Sequence, residues 1–479
     1  MKAPIPSVAV AKQAGRLPVL LFVALALVGG LALVALYPPM QVPDEGSHFA
    51  RAYQVSEGGM LPLKRGKETG GILPTSIIQL LQMGDATSWH AEARIENPIE
   101  IYRDLLQNKL EPASRSFAAF PKTTSEPPLA FLPQAAGIRI ARLVSASALV
   151  PLYGARLANL LVAILCTAVA ISVTPIYKWV FAWLALSPLV LAEMASATGY
   201  ALTYGVVFLF VAVVLRLAFG GQGMATWIPI VILLILAVAT SLVIQGYLPL
   251  LLLYFVVPAA RVGGRKRYWL TFTALCLVAG GTTVAWHFAQ APTYSPPNAG
   301  VDPAAQFRLL SQNSRHFFGA LRSSMGLPPI VHVMSTPLSG LLLTGSLSKP
   351  GFLIVLRGVM VPVCAGLVIV ACFLDACPAV GRVSLRQRLV AFLVGVASVL
   401  AIFLIVYVQS MPVGGTGILV RPRQLIPCGL ALLLCLVNLT PRLGKFGAFA
   451  RSYFGTILVV YFLLRFGESG FSMWARYYS

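Results

Sequence analysis

Long apolar runs dominate the pattern of hydrophobic and polar positions along the chain. Runs of roughly 17 to 25 residues fit α-helices that cross a hydrocarbon core about 30 Å thick, and they lack the ten-residue alternation of a membrane β-barrel. We therefore predict an all-α integral membrane protein. Its transmembrane helices, about eleven, are expected at residues 17–37, 152–174, 177–196, 199–219, 226–243, 246–259, 269–290, 350–374, 389–409, 424–440 and 453–466.

Compact basic clusters in three short loops, at residues 261–267, 382–388 and 442–451, predict the orientation of these helices. Since short cytoplasmic loops of membrane proteins carry an excess of Lys and Arg, the N-terminus is expected in the cytoplasm and the C-terminus outside. The two long polar segments and the loop at 410–423 then lie on the outer face. The chain is predicted to have five parts. They are a tail with the first helix (1–37), a first outer segment (38–151), helices two to seven (152–290), a second outer segment (291–349), and helices eight to eleven with an outer tail (350–479).

Composition supports a membrane protein. Of the 479 residues, 58% are hydrophobic and 11% are charged, whereas soluble domains carry about 25% charged residues. The seven cysteines are an odd number and most lie in apolar runs, so neither a disulfide framework nor a zinc site is indicated. The first apolar run is too long for a signal peptide and lacks an A-x-A site, which predicts a retained anchor. Nucleotide-binding glycine motifs are not found.

Both outer segments contain predicted interfacial helices with arginines. The sequence EPPLAFLPQAAGIRIARLV at 126–144 predicts a helix in the outer interface, with Arg139 and Arg142 facing headgroups or a bound phosphate. Ordinary snorkelling explains the two arginines equally well. At 302–324, Asp302 and Pro303 predict a helix start, and Arg308, Arg315 and Arg322 recur every seven residues. This stripe could rest on anionic lipid or line a cavity for a phosphorylated lipid.

A glycine-rich stretch, MPVGGTGILVRPRQLIP at 411–427, places two arginines at the mouth of a helix. Arg421 and Arg423, together with glycine amides, could hold a phosphate or pyrophosphate. The two arginines could equally be basic residues that flank a membrane helix.

The stretch directly after the first apolar run, at 38–59, has two adjacent carboxylates, Asp44 and Glu45. Asp44 follows Pro43 and is expected to cap a helix, in which His48 and Arg51 would share its face and approach its carboxylate. A salt-bridged cap is the structural interpretation. The functional one is that ionisable groups at the edge of the lipid are candidates for chemistry: proton abstraction, binding of a divalent ion, or stabilisation of an oxocarbenium-like centre.

The sequence PPMQVPDEGSHFARAYQVSEGG, at 38–59, resembles the opening of a family of bacterial polytopic membrane proteins of unknown function, which has a PPxQxPDExxHxxRA pattern. Further similar stretches are EPPLAFLPQAAGIRIAR, RLANLL from Arg156, ALSPLVLAEMASATGYALTYG and DPAAQFRLLSQNSRHFFGALRSS. More distantly, a DE pair in the first outer loop followed by a PPL segment is similar to membrane glycosyltransferases of the GT-C fold.

The GT-C resemblance implies a bacterial inner-membrane enzyme that uses a polyprenyl-phosphate sugar as donor. It places Asp44 at the catalytic carboxylate and Glu45 beside it. Two features depart from the family's pattern: ATGYALTYG, from Ala197, has no carboxylate, and GILVRPRQLIP, from Gly417, lacks a tyrosine.

From the residues and the resemblance together, we expect transfer of a sugar to an envelope glycan, lipid or protein acceptor on the outer face. Asp44 is the expected base or oxocarbenium partner, and Glu45 is second choice or helps to hold Mg²⁺ or Mn²⁺. No residue is assigned as a metal ligand. The expected phosphate-binding residues are His48, Arg51, Arg139, Arg142, Arg308, Arg315, Arg421 and Arg423. Membrane lipids are expected partners and nucleic acid is not.

Two alternatives remain open at this point. One is a translocator of lipid-linked glycans, against which the scarcity of charge within the helices counts, since few candidates exist beyond Glu193 and Arg216. The other is a non-catalytic assembly partner of an envelope polysaccharide system.

Overall fold

The chain is mostly helical in the computed structural model, which describes residues 16–88, 98–221, 226–244, 246–324, 363, 366–373, 383–437 and 444–478. Within these ranges, six helices are long and apolar enough to cross a membrane: Leu17–Leu36, Val150–Val173, Tyr200–Phe219, Arg265–Thr293, Leu385–Ser410 and Ser452–Phe471. Two shorter apolar helices are Trp227–Ser241 and Pro422–Leu434. The chain therefore has several membrane-type helices, and the number eleven stays a prediction.

Two predicted spans differ from the structure. Residues 177–196 form two short helices, Lys178–Ala185 and Pro188–Met194, because Ser187 precedes a proline and takes an extended backbone that interrupts the helix. Residues 246–259 contain 3₁₀ helices at Leu248–Val256 and Ala259–Val262 rather than an α-helical span. Most of the predicted helix at 350–374 lies outside the described residues.

The first polar segment is folded, as predicted, but it is not purely helical. Its helices are Glu45–Ser56 (α1), Thr75–Ser88, Pro98–Gln107 and Leu132–Val144 (α2), with a 3₁₀ turn at Pro128–Phe131. Between them runs an antiparallel three-stranded sheet of Leu63–Arg65, Glu68–Pro74 and Arg115–Ala119, in that order. Sequence pattern missed the sheet because its strands are short and contain Gly70, whose missing side chain lets the backbone approach Ala118 O.

Helix α2 packs against the first turns of the membrane-type helix Val150–Val173 (α3). Gly137 and Gly154 make this possible: a Cβ at Gly137 would lie 2.1 Å from Gly154 O. The prediction of a helix at 126–144 is confirmed from Leu132 onward, and its Ile140, Leu143 and Val144 are exposed.

The second polar segment was predicted as one helix and forms two, Pro303–Gln312 (α4) and Arg315–Ser324 (α5). Asp302 caps α4 as predicted, accepting from the amides of Ala304 and Ala305 at 3.0 Å. The helix breaks at Asn313, whose backbone is extended and whose Oδ1 accepts from Arg315 N–H, because an Asn side chain competes for backbone donors.

The two polar segments meet at one end of the helix bundle. Thr69 Oγ1 donates to Thr293 O, and Trp286 Nε1 donates to Ser125 O. The glycine-rich loop joins them, since Gly414 N–H donates to Gln306 Oε1 at 2.9 Å. The three segments therefore contact one another at this end of the bundle, and their location on the outer face of the membrane stays a prediction.

Candidate functional site

Asp44 precedes α1 in a backbone conformation that is uncommon for a residue with a side chain. Its φ is 64°, in the left-handed region, and its carboxylate makes no capping hydrogen bond. The prediction that Asp44 caps the helix is therefore wrong. A capping residue takes an extended backbone that aims its oxygen at the first amides, and the left-handed conformation does not.

Three cations contact the Asp44 carboxylate among the described residues. Oδ2 accepts from Arg421 Nη1 and from Arg423 Nη2, the latter at 2.5 Å, and Oδ1 accepts from Lys122 Nζ at 3.3 Å. Arg423 is 5% exposed, whereas Arg421 and Lys122 are 34% and 41% exposed. One buried cation thus anchors the carboxylate, and two others are accessible from solvent. We call Asp44, Lys122, Arg421 and Arg423 the Asp44 cluster.

The helix Pro422–Leu434 (α6) positions Arg423 through a proline. Pro427 has no N–H and leaves the carbonyl of Arg423, four residues earlier, without a helical donor. The hydroxyl of Tyr204 donates to that carbonyl instead, at 3.0 Å. Tyr247 donates likewise to Gln424 O at 2.9 Å. The start of α6 is therefore fixed to the bundle by side chains, and its arginines are held in place.

Glu193 also binds Arg423, through a different guanidinium nitrogen from the one that binds Asp44. Its Oε1 accepts from Arg423 Nη1 at 3.0 Å, and its Oε2 accepts from Thr198 Oγ1 at 2.7 Å. The Tyr200 ring lies 4.7 Å from the Arg423 guanidinium, in range for a cation–π contact. Arg423 also donates to Pro43 O. The stretch from Ala197 to Gly205 has no carboxylate. Glu193, just before that stretch, nevertheless supplies one, which binds the arginine that also binds Asp44.

His48 and Glu126 lie next to the Asp44 cluster. His48 Nδ1 accepts from Gly199 N–H at 3.3 Å and lies 3.7 Å from Glu126 Oε2. Burial, with Arg423 nearby, lowers the pKa of His48 to about 3. Burial, with Asp44 nearby, raises the pKa of Glu126 to about 8. At neutral pH His48 is therefore neutral and Glu126 is mostly protonated.

Asp44 stays ionised in the same surroundings. Burial alone would raise the pKa of its carboxyl, but Arg423, Arg421 and Lys122 outweigh burial and hold the pKa below its ordinary value. The site thus places an ionised carboxylate beside a protonated one. Pairs of carboxyls with pKa values pushed apart by their surroundings are a common arrangement for acid and base roles.

Glu45 points away from Asp44 and is fully buried. Its oxygens accept from Arg156 Nε at 2.8 Å, Arg156 Nη2 at 2.7 Å and Ala197 N–H at 3.0 Å. Arg156 also donates to three backbone carbonyls at the end of the first helix, those of Val34, Tyr37 and Pro38. This closed pair gives Glu45 a structural position. From the sequence we expected its oxygens to face a substrate or a divalent ion, but they are bonded to Arg156 and Ala197 instead.

The remaining predicted binding residues lie outside the Asp44 cluster. Arg51 is buried and donates to Gly59 O and Met60 O, so it holds the turn after α1 instead of approaching Asp44. Arg139 and Arg142 line a separate pocket. Arg308 and Arg315 are exposed on α4 and α5, which pack against the glycine-rich loop. Of the ten predicted site residues, the structure brings Arg421 and Arg423 to Asp44, with His48 close by.

Sequence reasoning missed Lys122 and Glu126 as site residues. Both precede the proline pair at 127–128, and the neighbouring EPPL stretch was the available signal. Within the described ranges, no group of three or more His, Cys, Asp or Glu residues is arranged to hold a metal ion.

Comparison with known proteins assigns the chain to a family without naming an activity. Residues 27–432 match the family described as predicted membrane protein (DUF2142). This range contains the Asp44 cluster, Glu126 and Glu193. No curated protein and no solved structure matches the chain. Since the family match covers well over half of the chain, the protein belongs to the DUF2142 family of predicted membrane proteins.

Proposed function

We propose that the protein is a membrane glycosyltransferase of the GT-C type, which transfers a sugar from a polyprenyl-phosphate carrier to an envelope glycan, lipid or protein acceptor. The observation that carries the proposal is the Asp44 cluster. One carboxylate and two partly exposed cations lie together at the end of the helix bundle where both polar segments meet.

The cluster suits a donor that carries a phosphate. Arg421 and Lys122 come from different segments and share one carboxylate with the buried Arg423. Arginine binds phosphate oxygens through two parallel hydrogen bonds, and lysine acts as a point charge. Arg421 and Lys122 are exposed enough to turn toward a phosphate, while Arg423 stays bound to Glu193 and keeps the site assembled.

In the transfer step, an acceptor hydroxyl attacks the anomeric carbon of the donor sugar. The new carbon–oxygen bond forms as the bond to the phosphate oxygen breaks, and its electron pair leaves on the polyprenyl phosphate. The hydroxyl proton passes to Asp44, the proposed base. Arg421 and Lys122 neutralise the leaving phosphate, as positioned cations do where negative charge develops.

Donor binding would also make Asp44 a better base. In the free protein, Arg423, Arg421 and Lys122 hold the pKa of Asp44 low, and a base works best when its pKa is near the working pH. If Arg421 and Lys122 move to the phosphate, Asp44 loses two of its three cations and its pKa rises. The base is then activated only when donor is present.

The test compares cells with the wild-type protein, a deletion, Asp44→Asn and the control Asp104→Asn, which changes an exposed aspartate outside the cluster. Asparagine adopts the left-handed backbone as readily as aspartate and removes only the charge. Surface-glycan composition and membrane-bound lipid-linked sugars are measured, together with protein abundance.

We expect Asp44→Asn to accumulate normally, to lack the same sugar as the deletion, and to build up lipid-linked donor that a membrane-impermeant oxidant can reach. Asp104→Asn should match wild type. A normal glycan in Asp44→Asn would overturn the catalytic role. Donor protected from the oxidant would instead favour a translocator.

A further inference from the structure

A second charged cavity lies near the end of α1 that is remote from Asp44. It is open and has a volume of about 590 Å³, and its lining includes Glu57, Leu61, Leu63, Arg115, Arg139 and Arg142. Since α1 has 12 residues, the helix separates this pocket from Asp44 by roughly 18 Å. The pocket is therefore a separate place on the surface.

Cations exceed carboxylates in this pocket. Glu57 accepts from Arg115 Nη2 at 2.5 Å and from Arg142 Nη1 at 3.1 Å, while Arg139 Nε donates to Ser56 O. The lining thus has three arginines and one glutamate. Arg115 and Arg142 are 30% and 27% exposed, so they can make further hydrogen bonds to a ligand.

The surroundings of the pocket are apolar. Leu61 and Leu63, in its lining, are 42% and 49% exposed. On α2, the helix that supplies Arg139 and Arg142, the side chains of Ile140, Leu143 and Val144 are 63%, 86% and 76% exposed. A helix with exposed aliphatic side chains beside arginines is typical of the membrane interface, and α2 packs on the end of a membrane-type helix.

We propose that this pocket binds the phosphate of an anionic lipid headgroup. Arg115 and Arg142 contact the phosphate oxygens, and the exposed leucines contact the start of the acyl chains. Basic pockets beside membrane helices recognise headgroups through such charge-assisted hydrogen bonds. The proposal does not depend on glycosyl transfer, since it concerns different residues and a different ligand.

Glu57 has a particular role in this proposal. In the lipid-free protein its carboxylate occupies the guanidinium groups that a phosphate would bind. It therefore competes with the lipid and limits its affinity. Removing the Glu57 charge should therefore strengthen lipid binding. If the ion pair were purely structural, the same change would only lower the stability of the protein.

The experiment uses the full chain purified in detergent, with binding measured by native mass spectrometry. The probes are dioctanoyl phosphatidylglycerol, dioctanoyl phosphatidylcholine and inorganic phosphate. The variants are Glu57→Gln, the double change Arg115→Gln and Arg142→Gln, and the control Arg103→Gln, an exposed arginine of the same segment. Thermal unfolding checks that each variant is folded.

Wild type should bind phosphatidylglycerol at least about tenfold more tightly than either other probe. The three arginines repel the choline cation of phosphatidylcholine, and inorganic phosphate has no acyl chains to contact Leu61 and Leu63. The double variant should lose this preference, Glu57→Gln should bind phosphatidylglycerol several-fold more tightly, and Arg103→Gln should match wild type. A gain in Glu57→Gln cannot come from misfolding, so the test holds even if the double variant is unstable.

Three results would overturn the proposal. Unchanged lipid binding in the double variant would make the arginines a surface ion-pair cluster. Equal binding of inorganic phosphate would identify a soluble anion as the ligand. Weaker binding in Glu57→Gln would make the carboxylate a structural support.

Discussion

Asp44 and Glu45 are neighbours in the chain, yet each lies in a different kind of charged region. Glu45 and Arg156 are both 0% exposed and form a pair in which Arg156 also binds three carbonyls. Asp44 is 9% exposed and meets one buried cation and two accessible ones. The first region is closed to solvent, and the second has cations that solvent can reach.

The difference follows from how each region satisfies its charges. A buried pair is tolerable only when hydrogen bonds satisfy the remaining donors and acceptors, and the Glu45 pair achieves this within the protein. The Asp44 cluster has more positive than negative groups at an accessible place, so a further anion can be bound without rebuilding the core. Adjacent carboxylates can therefore differ in role, one structural and one suited to a ligand.

The largest expected effect is on the closed pair. Arg156→Met leaves the Glu45 carboxylate buried without its partner, which costs about 3 to 5 kcal/mol in such pairs. We expect the variant to lose most of its abundance and to unfold at a clearly lower temperature. Membrane abundance and thermal unfolding in detergent measure this.

Asp44→Asn is the matched variant for the open region. Its stability should change less, because water can solvate the accessible cations that lose the carboxylate. Its thermal stability should stay much closer to that of wild type than that of Arg156→Met. If both variants lose stability equally, the contrast between the two regions is wrong.

An intermediate effect is expected when the accessible cations are neutralised. Arg421→Gln and Lys122→Gln should each lower the apparent affinity for the sugar donor about tenfold, the value of one hydrogen bond to a charged group. The abundance of both variants should be unchanged. Lys67→Gln, an exposed lysine in a strand turn, is the control. Product formation at several donor concentrations is the measurement, and normal donor use in both variants would exclude them from phosphate binding.

The last effect, small near pH 5 and growing with pH, concerns the protonated neighbour of Asp44. Since burial raises the pKa of Glu126 to about 8 from an ordinary value of 4.5, the unfolded chain loses this proton at lower pH than the folded protein does. The carboxyl therefore lowers stability increasingly as pH rises from about 4.5 to about 8. Glu126→Gln should gain thermal stability over wild type across that range.

Thermal unfolding of both proteins at a series of pH values tests this. The gain should be smallest near pH 5 and should level off above pH 8. A difference that is the same at every pH would mean that Glu126 ionises at its ordinary pKa.

Local sequence was sufficient for several features. Apolar runs located the membrane-type helices because burial in lipid requires length and hydrophobicity, which are read directly from the chain. Asp302 and Pro303 marked a helix start, since capping depends on adjacent residues. The location of the polar segments on one side of the membrane was expected from the alternating direction of successive helices, and it stays a prediction.

Features that depend on contacts between distant residues were not predictable in this way. The sheet was missed because its strands are short and are defined by pairing. Asp44 was expected to cap a helix and to meet Arg51, but its backbone turns left-handed and its partners come from residues 122, 421 and 423.

The sequence alone thus determined a helical membrane protein, and it marked Asp44, Arg421 and Arg423 as candidate site residues. Only the tertiary structure decided that Glu45 is sealed against Arg156, and that Lys122, Glu126 and Glu193 lie around Asp44 and Arg423. The physical reason is that burial and charge pairing depend on which distant segments meet, and these set the ionisation and accessibility of each carboxylate.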